Sequence, residues 1–227
     1  DIEMGDSEPV DEAGLHELLM SALRRLPRLS GVGPLGARNE HIMVVANSTE
    51  HAADLATALT ALAVGKAPLE VTSFLRGGLV KPLAKKDGGY RPLCLSNVLR
   101  RAALRCLVSL RKDDCLTAVG GIQYGVGRKS GVDVLQKSLE VRLACNPASI
   151  SISIDFQAAF QKISRKAVRG AVGRHAPWLI GACDAWYGGG ATHMMIDEHE
   201  KVHHIDATVG VDQGCPLGAL LFAIAIR

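Results

Sequence analysis

Residues Ile152-Ser153-Ile154-Asp155 set an apolar, β-branched run against a single carboxylate, and Phe156-Gln157-Ala158-Ala159-Phe160 follow with a helix-like pattern. β-branched residues favour strands, so 150–155 reads as a buried strand that leads into a helix from about Ala158 to Gly173. A carboxylate at the end of such a strand is costly to bury unless it is paired or binds a cation. Asp155 is therefore a metal-ligand candidate before anything else is known, and the rest of the chain decides whether it has partners.

The 227 residues, 48% hydrophobic and 22% charged, suffice for one large globular domain or two small ones. Net charge is only +3, which permits a nucleic-acid partner without arguing for one. The distribution says more. The first 20 residues are acidic, while basic residues gather at 24–28, 81–91, 100–112 and 162–174. Such clusters either build a basic groove or simply solvate helix faces. The six cysteines include no C-x-x-C pair, and several sit among apolar residues; this reads as buried thiols in a reducing compartment, with no zinc knuckle. The polar, acidic start shows no signal peptide, so secretion is not expected. No apolar run approaches the roughly 20 residues of a membrane span. The chain starts at Asp1 and stops at Arg227 inside an apolar run, and both ends read as cut.

Periodicity predicts a helix over 11–26, where Leu15, Leu18, Leu19, Ala22, Leu23 and Leu26 share one face. Residues 31–40 read as a Gly/Pro-rich loop. A second helix spans 49–64, capped by Ser48 or Thr49 and ended by Gly65. Gly77 to Arg91 reads as a hairpin turning at Lys85-Lys86-Asp87-Gly88-Gly89, with Leu79, Val80 and Leu83 on one side and Leu93, Cys94 and Leu95 on the other. Further helices are expected from Asn97 to about Leu116, over 131–144, and from Trp178 to Tyr187. Met194 to Val211 alternates like a hairpin that turns near 197–201.

Three segments carry chemistry. The basic hairpin, with Lys81, Lys85, Lys86 and Arg91, either clamps a polyphosphate, as Arg does bidentately, or is a solvated surface ribbon. The Asp155 segment adds Phe160, which walls a sugar or base, or packs in the core, or both. The turn Gly210-Val211-Asp212-Gln213-Gly214-Cys215-Pro216 opens an apolar helix; it presents amide groups to a ligand or is an ordinary connection.

In this order, the segments resemble a reverse transcriptase of the non-LTR retrotransposon and group II intron type. Lys85-Lys86-Asp87-Gly88-Gly89-Tyr90-Arg91-Pro92-Leu93 resembles the fingers motif K-x-[DN]-G-x-x-R-P-[IL]. Ile154 to Phe160 resembles palm motif A, D-x-x-x-A-F-[DN], and Gly210 to Phe222 resembles motif B, G-[VL]-x-Q-G-x-P-L-S-P-x-L-F. Gly33-Pro34-Leu35-Gly36-Ala37-Arg38-Asn39-Glu40-His41 looks like the segment ahead of the fingers in some retroelement polymerases. The resemblance covers about residues 30–227.

It implies an α+β right-hand polymerase fold, with an N-terminal acidic segment and helix over 1–30, fingers over 31–150 and a partial palm over 151–227. It implies RNA-directed DNA synthesis in a retroelement polyprotein, with an RNA template, a DNA primer, dNTPs and two Mg²⁺ ions. Asp155 would hold both ions. The backbone at Phe156 would line the triphosphate, and Phe160 would sit under the sugar. Arg91 and Lys85 would grip the phosphates. Gln213 and Gly214 would shape the nucleotide and template pocket. Localisation by analogy is nuclear or cytoplasmic.

The sequence departs from the pattern in places. Motif A ends in Gln161 instead of Asp or Asn, and motif B reads Leu217-Gly218-Ala219 instead of Leu-Ser-Pro. The family's aromatic-x-Asp-Asp hairpin should follow motif B, but the chain ends first. Two-metal catalysis needs several carboxylates, so the 227 residues alone are expected to be inactive. A catalytically dead nucleic-acid-binding remnant is the alternative. A third reading is a zinc peptidase through His199, Glu200 and His203, which match H-E-x-x-H; that chemistry needs both histidines on one helix face, and the match falls at a hairpin tip. Gly31-Val32-Gly33-Pro34-Leu35-Gly36 matches G-x-G-x-x-G but follows a poor strand and contains Pro34, which has no amide to donate.

Overall fold

The computed structural model describes residues 8–86 and 88–227; the acidic start through residue 7 and Asp87 of the expected hairpin turn lie outside the described residues. Helix α1 (Glu12–Ala22) begins where the Asp11 carboxylate accepts from the Gly14 amide at 3.0 Å. It buries Leu15 and Leu19, and Leu23 follows them in a short 3₁₀ turn. A short helix, α2 (Asn39–Ala46), closes the Gly/Pro-rich loop, where no helix was expected beyond residue 40. Helix α3 (Ala52–Val64) ends at Gly65 in the left-handed region, φ +79°. A side chain there would be strained and would also collide with the Gly181 carbonyl.

After α4 (Leu69–Leu75) come β1 (Gly78–Ala84) and β2 (Tyr90–Ser96), the predicted hairpin, paired antiparallel from Gly78↔Ser96 to Ala84↔Tyr90. The helix expected over 97–116 is two: α5 (Val98–Leu110) and α6 (Lys112–Val119), separated by Arg111 at ψ 33°. Helix α7 (Gly131–Cys145) buries only Gly131. The helix expected over 158–173 is also split, into α8 (Ala159–Lys162) and α9 (Arg165–His175), because Ser164 turns its hydroxyl to the Ala167 amide as a new N-cap. Then come α10 (Ile180–Tyr187), β3 (Ala191–Ile196), β4 (Val202–Ala207) and α11 (Gly218–Ala225).

The four strands form one sheet in the order β2-β1-β3-β4. β3 and β4 pair antiparallel, and β3 joins the first hairpin by a parallel contact at Leu79↔Met194. The fold is α+β. One hydrophobic core runs from Leu15 and Leu59 through Leu104 and Val172 to Trp186 and Leu221, so sheet and core both draw on residues on either side of position 150. The Trp186 indole donates to the Leu62 carbonyl at 3.2 Å, tying α10 to α3.

The strand expected to end in Asp155 fails. Residues 150–155 form no strand. The segment finds no ladder partner among the described residues, and an unpaired strand leaves its backbone groups to water. Ile150, Ile152, Ile154 and Phe156 are 86, 79, 73 and 61% exposed, so Asp155 is an exposed carboxylate rather than a buried one.

Leu104 is fully buried at the centre of α5. Leu104→Ala is expected to lower stability by about 3 kcal/mol through lost transfer energy and a cavity, measured as a lower urea midpoint at unchanged slope.

Candidate functional site

Arg100, Ala103, Leu104 and Leu107 fall at i, i+3, i+4 and i+7 on the inner face of α5, and all four are buried. A guanidinium on that face needs partners. Its Nη1 donates to the Asp212 carboxylate at 2.9 Å and to the Arg76 carbonyl at 3.0 Å, and Nη2 donates to Cys215 Sγ at 3.5 Å. Its plane lies 5.0 Å from the Trp186 ring and 5.2 Å from that of Tyr187.

Asp212 uses its other oxygen on His193, at 3.1 Å. The Gly78 amide donates to His193 Nδ1 at 3.0 Å, so Nδ1 accepts and Nε2 carries the proton given to Asp212. Gly78 leaves room for this: a Cβ there would collide with Cys94 Sγ. Burial alone would push the Asp212 carboxyl up, but the His193 hydrogen bond and the Arg100 charge overcome it and hold its pKa below the ordinary value. Burial, reinforced by the Asp212 charge, raises the Cys94 thiol to about 12, so it stays protonated and unreactive.

This network seats the 210–217 turn on the hairpin sheet. The Cys94 amide donates to the Gln213 carbonyl at 2.8 Å across the outer edge of β2. Gly214, at φ +118°, brings its backbone against the Cys94 carbonyl, where a Cβ would clash. The end of the Asp155 segment docks on the same turn. The Val211 amide donates to the Phe160 carbonyl at 2.7 Å and the Gly210 amide to that of Ile163 at 3.0 Å. Arg165 fixes the approach by donating to the Gly210 and Gly189 carbonyls at 2.9 and 2.7 Å.

Between these parts lies a cleft of about 230 Å³, lined by Val80 and Pro92 of the hairpin, Gln161, His193 and Ile205 from β3 and β4, and Asp212 and Gln213. Residues from all three chemistry-bearing segments thus converge on one cavity. Phe160 is half-buried and stacks on Phe222 with ring centroids 5.0 Å apart and planes at 11°. Gln213 borders the cleft, and the exposed Gly214 adjoins it. Lys85 and Arg91 are exposed on the hairpin. Asp155 and Phe156 are exposed on the unpaired segment, and neither lines the cleft. Sequence reasoning missed Arg100 and His193; the available signal was Arg100 itself, a charge on an otherwise apolar helix face.

The zinc-peptidase reading is overturned. His199 and Glu200 lie in the β3–β4 turn and His203 lies on β4, not on a helix. His203 Nε2 instead meets Asp197 at 2.6 Å, and the Asp197 carboxylate also accepts from the His199 and Lys201 amides.

Cys94, His193 and Asp212 form the only trio among the described residues whose ligand atoms all lie within 4.8 Å of one another. Arg100 and the Gly78 amide already satisfy it. Asp155 belongs to no such trio among the described residues; a two-ion site would need further carboxylates beside it. Among the described residues no single helix is long and apolar enough to cross a membrane.

No protein-family model matches the chain. The chain is 24% identical over 225 residues to the "Retrotransposable element SLACS 132 kDa protein" of Trypanosoma brucei gambiense, across 95% of its own length. The similarity points to a retroelement-related protein. The chain spans 18% of that protein's length.

Removing Arg100 would leave the buried Asp212 carboxylate with only its His193 hydrogen bond and no ion-pair partner, so Arg100→Leu is expected to destabilise by about 3–5 kcal/mol, read by chemical denaturation. Asp212 has a folded pKa below its unfolded value of about 3.9. Its stabilising contribution is therefore present above that value and lost as pH falls through the lower folded pKa. Stability measured from pH 6 to pH 2 should fall less steeply in Asp212→Asn than in the unsubstituted protein.

Proposed function

We propose that this chain is the fingers and opening palm portion of a retroelement reverse transcriptase, working on an RNA template, a DNA primer and dNTPs as part of a longer polyprotein. The observation that carries this reading is the convergence of the hairpin, Gln161 at the end of the Asp155 segment and the Gln213 turn on one cleft, with the Phe160 carbonyl held by the Val211 amide. Retroelement similarity along nearly the whole chain supports it.

In this reading the exposed Lys85 and Arg91 reach for the triphosphate, with Arg91 able to make two parallel hydrogen bonds. Phe160, stiffened by Phe222, walls the sugar beside the Phe156 backbone, and Gln213 and Gly214 shape the pocket for the nucleotide and its template base. Asp155 supplies one metal ligand, and the remaining carboxylates come from outside these 227 residues. A catalytically silent nucleic-acid-binding form of the same fold is the second reading, favoured by the isolation of Asp155 from other ligand groups.

Primer extension on an RNA template with Mg²⁺, by the full-length protein containing this chain, tests the proposal. Templated extension should occur and should fall by about three orders of magnitude in Asp155→Ala, of the size expected when a charge-stabilising group is lost. Extension that survives the substitution would contradict the assignment, and RNA binding without extension would favour the second reading.

A further inference from the structure

Arg101 and Arg105 sit one turn apart on α5, and both line a small cavity of about 50 Å³ beside Ser30 and Asn39. The pair is unfavourable as it stands, because like charges at i, i+4 repel. Burial, and then the Arg105 charge, lower the Arg101 pKa. Arg101 Nη2 is buried with no hydrogen-bond partner among the described residues. Neither guanidinium has an ion pair among the described residues. The buried Arg100 next to them, by contrast, has a carboxylate partner.

The rim is preset. The Asn39 amide donates to the Pro27 carbonyl at 2.7 Å and to Ser30 Oγ at 2.9 Å, and the Ser30 hydroxyl donates to the Pro27 carbonyl at 3.0 Å. Asn39 is the first residue of α2, so the positive end of that helix borders the cavity. The adjacent carboxylate, Glu40, accepts from the Leu29 amide at 2.7 Å through Oε1 and feels the charges of Arg38 and Arg28, and its buried Oε2 has no hydrogen-bond partner among the described residues. A water needs about 10–15 Å³ of such volume, so the space takes a few waters or one tetrahedral oxyanion. Two guanidinium forks, one on the exposed Arg105, with no ion pair and one buried donor without a partner among the described residues, together suit an anion with several acceptor oxygens.

We propose that this cavity binds a phosphate group, and that the phosphate is a backbone phosphodiester of bound nucleic acid. The second half rests on the polymerase reading; the first stands without it.

Two measurements separate the halves. The first is the thermal midpoint against inorganic phosphate, with chloride at matched ionic strength, for the unsubstituted protein, Arg105→Ala, Arg101→Lys and the surface control Lys137→Ala. Phosphate should raise the midpoint of the unsubstituted protein and the control, and should raise that of Arg105→Ala several-fold less. An equal rise in Arg105→Ala would overturn the site. The second is affinity for a short RNA as a function of salt. Losing one phosphate contact should lower the slope of log K against log salt by about 0.7–0.9 in Arg105→Ala and leave it unchanged in Lys137→Ala. An unchanged slope in Arg105→Ala beside a lost phosphate response would keep the phosphate site and overturn its assignment to nucleic acid. Neither readout needs templated extension, so failure of the polymerase reading shows separately.

Discussion

Arg100 holds a full positive charge at 0% exposure, and everything that makes that tolerable comes from elsewhere in the chain. A buried charge without partners costs several kcal/mol even after relaxation. Its partners are the backbone after α4, the aromatic rings of α10, and Asp212 and Cys215 in the turn before α11. Forming the ion pair therefore brings the two halves of the chain together, and His193 extends the same network into the sheet through Gly78. Replacing Arg100 and Asp212 together by well-packed apolar side chains could give equal stability, since a buried pair contributes little net energy even though losing one partner is costly. What the charge adds is registry: only one placement of the 210–217 turn satisfies it.

That registry matters for the cleft. The turn must sit with the Gln213 carbonyl on the Cys94 amide and with Gly214 pressed against the Cys94 backbone. A shift of one residue would remove Asp212 from Arg100 and Gln213 from the cavity together. The Arg101–Arg105 cavity lies on the same helix as Arg100, so one element presents an ion-paired arginine inward and, among the described residues, two arginines without an ion pair toward the α2 loop.

Much of this was legible in the sequence. The hairpin at 78–96 announced itself through Asp-Gly-Gly between alternating residues, and the second hairpin through its own alternation. The α1 and α3 helices followed from Leu and Ala spacing. Two longer helices were read through breaks because Arg111 and Ser164 carry no strong local stop signal; Ser164 became a cap only because the backbone turned there to reach residues 210–211. The strand at 150–155 was misread for the opposite reason. Its residues have high strand propensity, but a strand is a pairing, and no partner reaches it among the described residues. The Arg100–Asp212–His193 network was not legible, since it joins positions 112 and 19 residues apart that no local pattern links.

The central claim is that the three segments meet around a nucleotide. Photo-crosslinking with an azido-dNTP, followed by peptide mapping, tests it most directly. The account predicts labels confined to the peptides around 80–94, 156–163 and 209–214, competed away by unmodified dNTP. Competable labelling elsewhere, on α1 or the β3–β4 turn for example, or no competable labelling at all, would contradict it.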